Sequence, residues 1–368
     1  MKKLVPVLLA LVLMVTLFGS GCSKGSGGGS GSGMKVVFLV NGALGDKSFF
    51  DSANAGLQRA KKELGIDFKV IEMGTDPSKW EPTLVDVSDQ QWDVIIVGTW
   101  QMTEALEKVA PQNPDKKYII FDTAVDYSKA KLDNVYSILY KQNEGSYLAG
   151  ALAAMVTSSK LPLANQDKKV IGFLGGMDIP VINDFLVGYI QGAKDVDPGV
   201  KVAVSYVGDF ANPAKGKEMA LAQYRMGADI GFNVAGETGL GQLDAAKEMN
   251  RYALGVDSDQ AELFKSSDPK KAELILTSML KRVDNSLFRA ISLHKEGKLK
   301  FGAAETLGLK EEAVGLAEND FYKKSVPDDM KKKLGELKQK ILKGEIKVDT
   351  AFGMDNKKLD EIRNAVKP

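Results

Sequence analysis

The segment VVFLVNGALGDKSFFDSANAGLQRA, residues 36–60, carries the pattern that indicates the fold class of this chain. It begins with a continuous apolar run, passes through a loop with two glycines, and continues with apolar residues at positions i, i+4 and i+7 from Ala53. The run predicts a strand buried on both faces, and the spacing predicts a helix with one packed face. Asp51 or Ser52 is expected to cap that helix.

The same alternation of strand and helix recurs in two successive series along the chain. Strands that are almost continuously apolar and separated by helices predict parallel sheets covered on both faces. Two such series predict an α/β fold with two doubly wound parallel-sheet lobes, and 75–90 and 158–168 are expected to be polar loops. The predicted strands are 36–40, 68–73, 94–98, 118–121 and 135–140 in the first series, and 169–176, 201–208, 230–236, 252–256 and 273–278 in the second.

The composition is that of a globular protein without a strong charge bias. Of the 368 residues, 44% are apolar and 26% are charged, which is sufficient for two lobes with a substantial core. Lysine and arginine total 49 against 48 aspartates and glutamates, so the net charge is +1. This balance gives no reason to expect a nucleic acid partner.

The N-terminus has the pattern of an export signal. Two lysines precede the apolar run 4–18, and small residues follow it. This pattern predicts a signal peptide over 1–21, since the run is too short to span a membrane comfortably. Cys22, the only cysteine, resembles the lipidated cysteine of bacterial lipoproteins, and the Gly/Ser-rich 22–33 is expected to be a tether. The expected location is the extracytoplasmic face of the cell membrane; the alternative is an unmodified cysteine in a plain secretory signal.

Motifs typical of enzymes and cofactor sites do not occur in the sequence. His294, the only histidine, continues an apolar helix stripe and is expected to be a partly buried helix residue. The glycine-rich 236–241, GETGLG, does not follow the dinucleotide-binding pattern, and no Walker loop or Cys/His cluster is present. We therefore expect no catalytic residues, cofactor or metal. Carboxylates are plentiful, so a hydrolase that uses two of them remains an alternative.

Acidic and aromatic residues follow the predicted strands. In open parallel sheets ligands bind beyond the carboxyl ends of the strands. Aromatic faces stack on flat ligands and carboxylates accept hydroxyl protons, so a sugar or a nucleoside is the expected ligand class. Alternatively, each aspartate caps a helix and each aromatic closes the core. The candidate ligand-binding residues are Asn41, Asp46, Phe49, Phe50, Trp100, Asp122, Met177, Phe210, Gly236, Glu237, Asp257 and Lys281.

Several segments resemble the basic membrane protein family of nucleoside-binding lipoproteins. The resemblance extends over about 35–350 and implies a type I periplasmic binding protein fold, in which two lobes joined by a three-strand hinge close around a ligand. It also implies a purine nucleoside as ligand and an ABC importer permease as partner. A monomer is expected because a receptor of this kind must open and close. The matching segments are GDKSFFDSANAGL (45–57), GGMDIPVINDFLVGYIQGA (175–193), YVGDFANPAKGKEMA (206–220), VAGETGLG (234–241) and GVDSDQ (255–260).

The resemblance also implies how the chain is divided between the lobes. The first lobe is expected to comprise 34–141 and 260–298. The second is expected to comprise 142–259 and 299–350, with 351–368 as a C-terminal tail.

Several roles follow from the family resemblance. Phe49 would stack on the base, and Phe210 would complete the sandwich from the second lobe, with Phe232 as the weaker candidate. Asp257 would bind the ribose hydroxyls. Lys281 would contact the nucleoside or pair with Asp257.

Further positions match the family in the first loop and at the strand ends. Asn41 and Asp46 would make polar contacts in the first loop, and Asp122 would face the cleft. Gly236 would let the backbone approach the ligand.

Two positions depart from the family pattern and bear on ligand choice. Phe50 stands where asparagine is usual, and Glu237 stands where glycine is common. Each substitution is expected to alter base preference or to exclude purines. A sensor of the same fold, signalling to a membrane partner, is the alternative to an import receptor.

Overall fold

Strands and helices alternate along nearly all of residues 33–368, the part of the chain that the computed structural model describes. The expected signal peptide, Cys22 and the tether up to residue 32 lie outside the described residues. No helix between residues 33 and 368 is both long enough and apolar enough to cross a membrane. The strands are β1 (Lys35–Val40), β2 (Asp67–Glu72), β3 (Val94–Gly98), β4 (Lys117–Phe121), β5 (Val135–Tyr140), β6 (Val170–Gly175), β7 (Lys201–Tyr206), β8 (Ala228–Val234), β9 (Tyr252–Asp257), β10 (Ile275–Lys281), β11 (Ala303–Leu307) and β12 (Val314–Leu316). The α-helices are α1 (Phe49–Leu64), α2 (Trp80–Ser88), α3 (Thr103–Val109), α4 (Gln142–Thr157), α5 (Pro180–Val196), α6 (Pro213–Met226), α7 (Thr238–Met249), α8 (Gln260–Phe264), α9 (Pro269–Leu274), α10 (Val283–Lys295), α11 (Asp320–Ser325), α12 (Asp328–Leu342) and α13 (Asn356–Ala365).

The first sheet has the order β11-β5-β4-β3-β1-β2, and all of its strands are parallel. Its central strands are buried because their apolar side chains face helices on both sides; every residue of β3 is buried. Val36 on β1 aligns with Phe68 on β2 and with Val94 on β3, so the strands end at one edge. The residues that follow the strands are therefore brought close together.

The second sheet repeats this topology with the order β12-β10-β9-β8-β6-β7. Its strands are parallel except β12, which runs antiparallel to β10. The predicted fold class, α/β with two doubly wound parallel-sheet lobes, is confirmed.

The chain passes between the two lobes at three points, which lie after Tyr140, Lys281 and Leu307. After β5 it enters α4, which packs against α5 of the second lobe. After β10 it enters α10, which packs against α1 of the first lobe. After β11 it returns to β12 in the second sheet. Lys281 thus lies directly at a crossing point.

The strand pairing differs from the expected division of the chain. The expectation assigned 260–298 to the first lobe and 299–350 to the second, but β10 pairs with β9 and β11 pairs with β5. The division is therefore wrong for these two strands. The local sequence of an apolar strand does not identify its sheet, because pairing depends on contacts with strands that are distant in sequence.

Two local expectations also need correction. The expected polar loop 75–90 contains α2, in which Trp80, Leu84 and Val87 form a buried stripe at helical spacing. The expected tail 351–368 contains α13, whose buried Leu359 packs with Val187 of α5. Both segments are rich in charged residues. The few apolar residues of α2 face the first lobe, and those of α13 face the second.

Glycines allow α4 and α5 to approach each other closely. A Cβ at Gly150 would lie 1.9 Å from the carbonyl oxygen of Tyr189, and one at Gly192 would lie 1.9 Å from that of Tyr147. No side-chain carbon fits at such a distance, so the two backbones are in direct contact. This packing sets the position of α5, whose first turn lies at the edge where the strands end.

We predict opposite effects for two Gly→Ala substitutions. Gly192→Ala should lower the free energy of unfolding by about 1–3 kcal/mol because the added methyl group forces the helices apart. Gly335→Ala, at an exposed position of α12 with nothing within 4 Å of the added Cβ, should raise it by about 0.5–1 kcal/mol. Urea unfolding of the two variants measures both changes. Equal shifts in the same direction would contradict the close packing of α4 on α5.

Candidate ligand-binding site

A cavity of about 390 Å³ lies between the lobes, at the carboxyl ends of both sets of strands. This volume is within the range of small-molecule sites, roughly 300–1,000 Å³. Every predicted site residue lines it except Met177, whose carbonyl oxygen accepts a hydrogen bond from the Ile179 N–H at 3.1 Å. The structure thus brings the candidates of both lobes together, and their roles toward a ligand remain predictions.

The loop after β1 is held by Asp46. Its carboxylate accepts hydrogen bonds from the backbone N–H groups of Ser48, Phe50 and Asp51, at 3.0, 2.9 and 3.1 Å. Asp46 therefore caps α1 in place of the expected Asp51 or Ser52; the Asp51 carboxylate accepts from two N–H groups of the loop instead. Burial raises the pKa of Asp46, although these backbone N–H groups lower it. The carboxylate orients the loop that carries the two phenylalanines.

The phenylalanines at the start of α1 form an aromatic wall. The centroid of the Phe49 ring lies 5.2 Å from that of Phe121 at 34°, and 5.2 Å from that of Phe50 at 67°. Phe50 packs over Gly42, where an added Cβ would lie 3.0 Å from the ring. Because both rings are only partly buried, they present apolar surface to the cavity.

Phe210 supplies an aromatic ring from the second lobe. It lies in the loop after β7 and packs over Gly176, where a Cβ would lie 2.3 Å from the ring. Its carbonyl oxygen accepts from the Thr238 N–H at 2.9 Å. Phe232, the weaker candidate, is fully buried and packs 5.2 Å from Tyr189. Of the two candidates, only Phe210 lines the cavity.

Lys281 places a positive charge at the junction of the lobes. It is 2% exposed, and its amino group forms an ion pair with Asp122 at the end of β4 in the first lobe. The resemblance implied that Lys281 contacts the nucleoside or pairs with Asp257; the direct ion pair in the structure is with Asp122. The Nζ atom also lies 5.4 Å from the ring centroid of Phe49 and 5.3 Å from that of Phe185.

Asp257 is the second buried carboxylate of the cavity. It is 7% exposed and accepts a hydrogen bond from Ser48 Oγ at 2.5 Å, which joins the lobes. Burial raises its pKa to about 7, although the charge of Lys281 and the Ser48 hydroxyl lower it. Burial also raises the pKa of Asp122, against the opposing effect of Lys281. One lysine thus faces two aspartates.

Three residues that line the cavity have a strained backbone. Thr99, Asp122 and Asp257 have φ values of 70°, 69° and 61° at the ends of β3, β4 and β9. Such conformations cost on the order of 1–3 kcal/mol each in residues other than glycine, and they cluster at functional sites. The strain turns the polar side chains at three strand ends toward one space.

Asn41 presents an acceptor to the cavity. Its amide nitrogen donates to Thr99 Oγ1 at 2.8 Å and to Gln101 Oε1 at 3.2 Å. Its Oδ1 atom is buried and has no hydrogen-bond partner among residues 33–368. Because both amide hydrogens are engaged, Asn41 is oriented to accept a hydrogen bond from a ligand.

The remaining candidates lie at the rim. Trp100 is 50% exposed, and Glu237 is exposed at the start of α7. Gly236 has a φ of 56°, and its missing Cβ leaves the space toward Phe210 open. These residues form the entrance to the cavity.

Helix α5 provides a wall of the cavity that residues directly after strands do not predict. Ile179, Val181, Ile182 and Phe185 line the cavity from the first turns of this helix. The predicted site residues follow strands directly, whereas these side chains belong to the start of the next helix. The signal that could have identified them is the segment 175–193, where apolar residues surround the proline that begins a helix. Other unpredicted lining residues are Gly42, Ala43, Gly74, Thr75, Thr99, Gln101, Ala211, Val234 and Ala235.

A sequence model of one family, described as "ABC transporter substrate-binding protein PnrA-like", matches residues 34–351. The chain belongs to this family. The resemblance stated from the sequence motifs is thereby confirmed. The family is one of substrate-binding proteins of ABC transporters, which agrees with two lobes that enclose a cavity.

Relatives of this substrate-binding protein cover nearly its whole length. It is 30% identical over 370 residues to the "ABC transporter nucleoside-binding protein BmpA" of Lactococcus lactis, with 95% of this chain and 99% of that protein covered. It is 33% identical to the "CD4+ T-cell-stimulating antigen" of Listeria innocua, with 89% and 92% covered. A solved solute-binding protein of an Aeropyrum pernix ABC transporter system is similar with a TM-score of 0.79 and 29% identity, covering 90% of this chain and 98% of that one.

The raised pKa of Asp257 predicts a dependence of stability on pH. Between about pH 4 and about pH 7 the folded state retains a proton that the unfolded chain has released, so stability should fall as the pH rises through this range. Asp257→Asn does not ionise, so its stability relative to the wild type should increase from about pH 5 to about pH 8. Urea midpoints measure this difference, with Asp133→Asn as the exposed control. A stability difference between Asp257→Asn and the wild type that does not change with pH would contradict the raised pKa of Asp257.

Proposed function

We propose that this substrate-binding protein captures a nucleoside, of the purine class, between its two lobes and delivers it to an ABC importer. The observation that carries the proposal is the pairing of aromatic and acidic groups in one interlobe cavity. Phe49 and Phe210 line it from opposite lobes, and Asp257 lies in the same space. The printed name of the Lactococcus relative supports the same ligand class.

The aromatic groups favour a ligand with a flat base. Base–aromatic stacking contributes about 1–3 kcal/mol per base, and it requires a ring that is held in place. Phe49 is held by its neighbours Phe121 and Phe50, and Phe210 is held over Gly176. A base that enters between the lobes would stack on Phe49 and bring Phe210 onto its other face. Closure of the lobes would then follow from binding.

The polar groups favour a ligand that donates hydrogen bonds. The carboxylate of Asp257 would accept protons from ribose hydroxyls, and the buried Oδ1 of Asn41 would accept one from the base. Lys281 offsets part of the negative charge, so a neutral ligand suits the cavity. A nucleoside meets these requirements at once, since it combines a flat base, donors on the base and neighbouring hydroxyls.

The proposed place of action is the extracytoplasmic face of the membrane. A lipid anchor at Cys22 and the Gly/Ser-rich tether 22–33 would hold a monomer at the extracytoplasmic face of the membrane. There the closed form would bind an ABC importer permease, and the ligand would leave chemically unchanged. Recovery of intact ligand after incubation, measured by mass spectrometry, separates this role from that of a hydrolase.

Thermal unfolding against nucleosides, free bases and pentoses tests the ligand class. A ligand at 100 times its dissociation constant should stabilise the protein by about 2.7 kcal/mol. We expect a shift with guanosine, inosine or adenosine and none with free pentoses. Shifts with pentoses alone would overturn the nucleoside proposal. Phe50 and Glu237 would then be the first positions to replace by the usual family residues, asparagine and glycine.

The stacking role of Phe49 has its own test. Phe49→Ala should weaken nucleoside binding by about 1–3 kcal/mol because one aromatic face is lost. Phe352→Ala is the matched control, since Phe352 is exposed and does not line the cavity. Isothermal titration of both variants measures the change. If Phe49→Ala binds like the control, Phe49 does not stack on the ligand.

A further inference from the structure

The apolar wall of the cavity depends on one short segment. Ile179, Val181 and Ile182 line the cavity, and they lie within four consecutive residues where α5 begins. The segment has Asp178 on one side and Asn183 on the other. The contacts of these two flanking residues therefore determine the position of the apolar side chains between them.

A single guanidinium group contacts both flanking residues. The Nη2 atom of Arg363 lies 2.6 Å from Asp178 Oδ1, 2.8 Å from Asn183 Oδ1 and 2.9 Å from the hydroxyl oxygen of Tyr206. The amide nitrogen of Asn183 also donates to Asp178 Oδ1 at 2.8 Å. The flanking residues are thus tied to each other and to a residue that is distant in sequence.

Arg363 is largely buried and packs against an aromatic ring. Its side chain is 16% exposed, and its guanidinium carbon lies 4.9 Å from the ring centroid of Tyr206. The Tyr206 hydroxyl donates to Asn183 Oδ1 at 2.6 Å. Charged hydrogen bonds in partly desolvated surroundings are stronger than those between exposed groups, so this cluster is suited to hold a backbone segment.

The helix that carries Arg363 is itself attached to the second lobe. The N–H of Val202 on β7 donates to the carbonyl oxygen of Val366 at 2.7 Å, and Leu359 packs with Val187. Asp184, the residue after Asn183, accepts from the Ala351 N–H at 2.9 Å. The C-terminal segment therefore contacts the first turns of α5 at two places. The family match ends at residue 351, before α13 begins.

We propose that Arg363 is a positioning residue for the ligand site. It acts through Asp178 and Asn183, which fix the segment 179–182 against the cavity, and it does not itself touch the ligand. The proposal rests on the proposed function insofar as the cavity binds a nucleoside. Its mechanical part, the ordering of the first turn of α5, concerns the free protein and is tested separately.

The experiment compares Arg363→Met with Lys358→Met. Both substitutions remove one positive charge from α13, but the side chain of Lys358 is 60% exposed and its ion-pair partner is Glu361, at 4.0 Å. Hydrogen exchange in the ligand-free protein reports the protection of amides 183–187. Isothermal titration with guanosine, inosine and adenosine reports the affinity of the cavity.

We expect Arg363→Met to lose protection at 183–187 while the amides of β1 and β3 keep theirs, and Lys358→Met to match the wild type. Nucleoside affinity should fall by about tenfold, mainly through faster dissociation, because the wall is no longer held in its binding position. Tyr206→Phe, which removes one hydroxyl from the cluster, should show the same pattern with a smaller loss.

Two results would overturn the inference. Unchanged exchange at 183–187 in Arg363→Met would mean that the cluster is not needed to hold the wall. Equal loss of protection throughout both lobes would mean that Arg363 contributes only to the global stability of the protein. If Arg363→Met does not fold, wild-type exchange in Tyr206→Phe overturns the inference. If none of the three nucleosides binds the wild type, the proposed function fails, and the exchange data still decide the positioning role.

Discussion

The buried charge of Lys281 is the constraint on which the site depends. An ammonium group removed from water must be paired, and its partner Asp122 comes from the other lobe. Loss of either partner would leave an uncompensated charge in the interior, so the pair fixes how the lobes meet. Asp257 adds a second carboxyl to the same space, and one lysine cannot satisfy both fully. Burial raises the pKa of Asp257 to about 7, and the positive charge of Lys281 offsets this rise only in part.

The repeated topology explains why these groups meet at all. Each sheet ends its strands at one edge, and the two edges face each other across the cavity. The positive φ values of Thr99, Asp122 and Asp257 then turn the side chains inward. Such strain persists only where the surroundings impose it, and here buried central strands on both sides supply that support.

The two lobes contribute different chemistry to the cavity. The first lobe brings polar groups such as Asn41 and Asp122 beside the aromatic wall of α1. The second lobe brings the apolar start of α5, the ring of Phe210 and the carboxyl of Asp257. A ligand with one flat apolar part and one polar part would therefore contact both lobes, and the proposed closure around it requires such contacts.

Local sequence determined the fold class and much of the site, because continuous apolar runs specify buried parallel strands and ligands bind where such strands end. Asp257 and Phe49 could be identified in this way as residues that line the cavity. Tertiary structure alone decided that β10 pairs in the second sheet and β11 in the first. It also decided that Asp46, and neither Asp51 nor Ser52, caps α1, and that Lys281 pairs with Asp122. It also brought Arg363 to the wall of the cavity. The reason is physical: each of these features depends on contacts and orientations that form only when the chain is folded, and residue spacing does not record them.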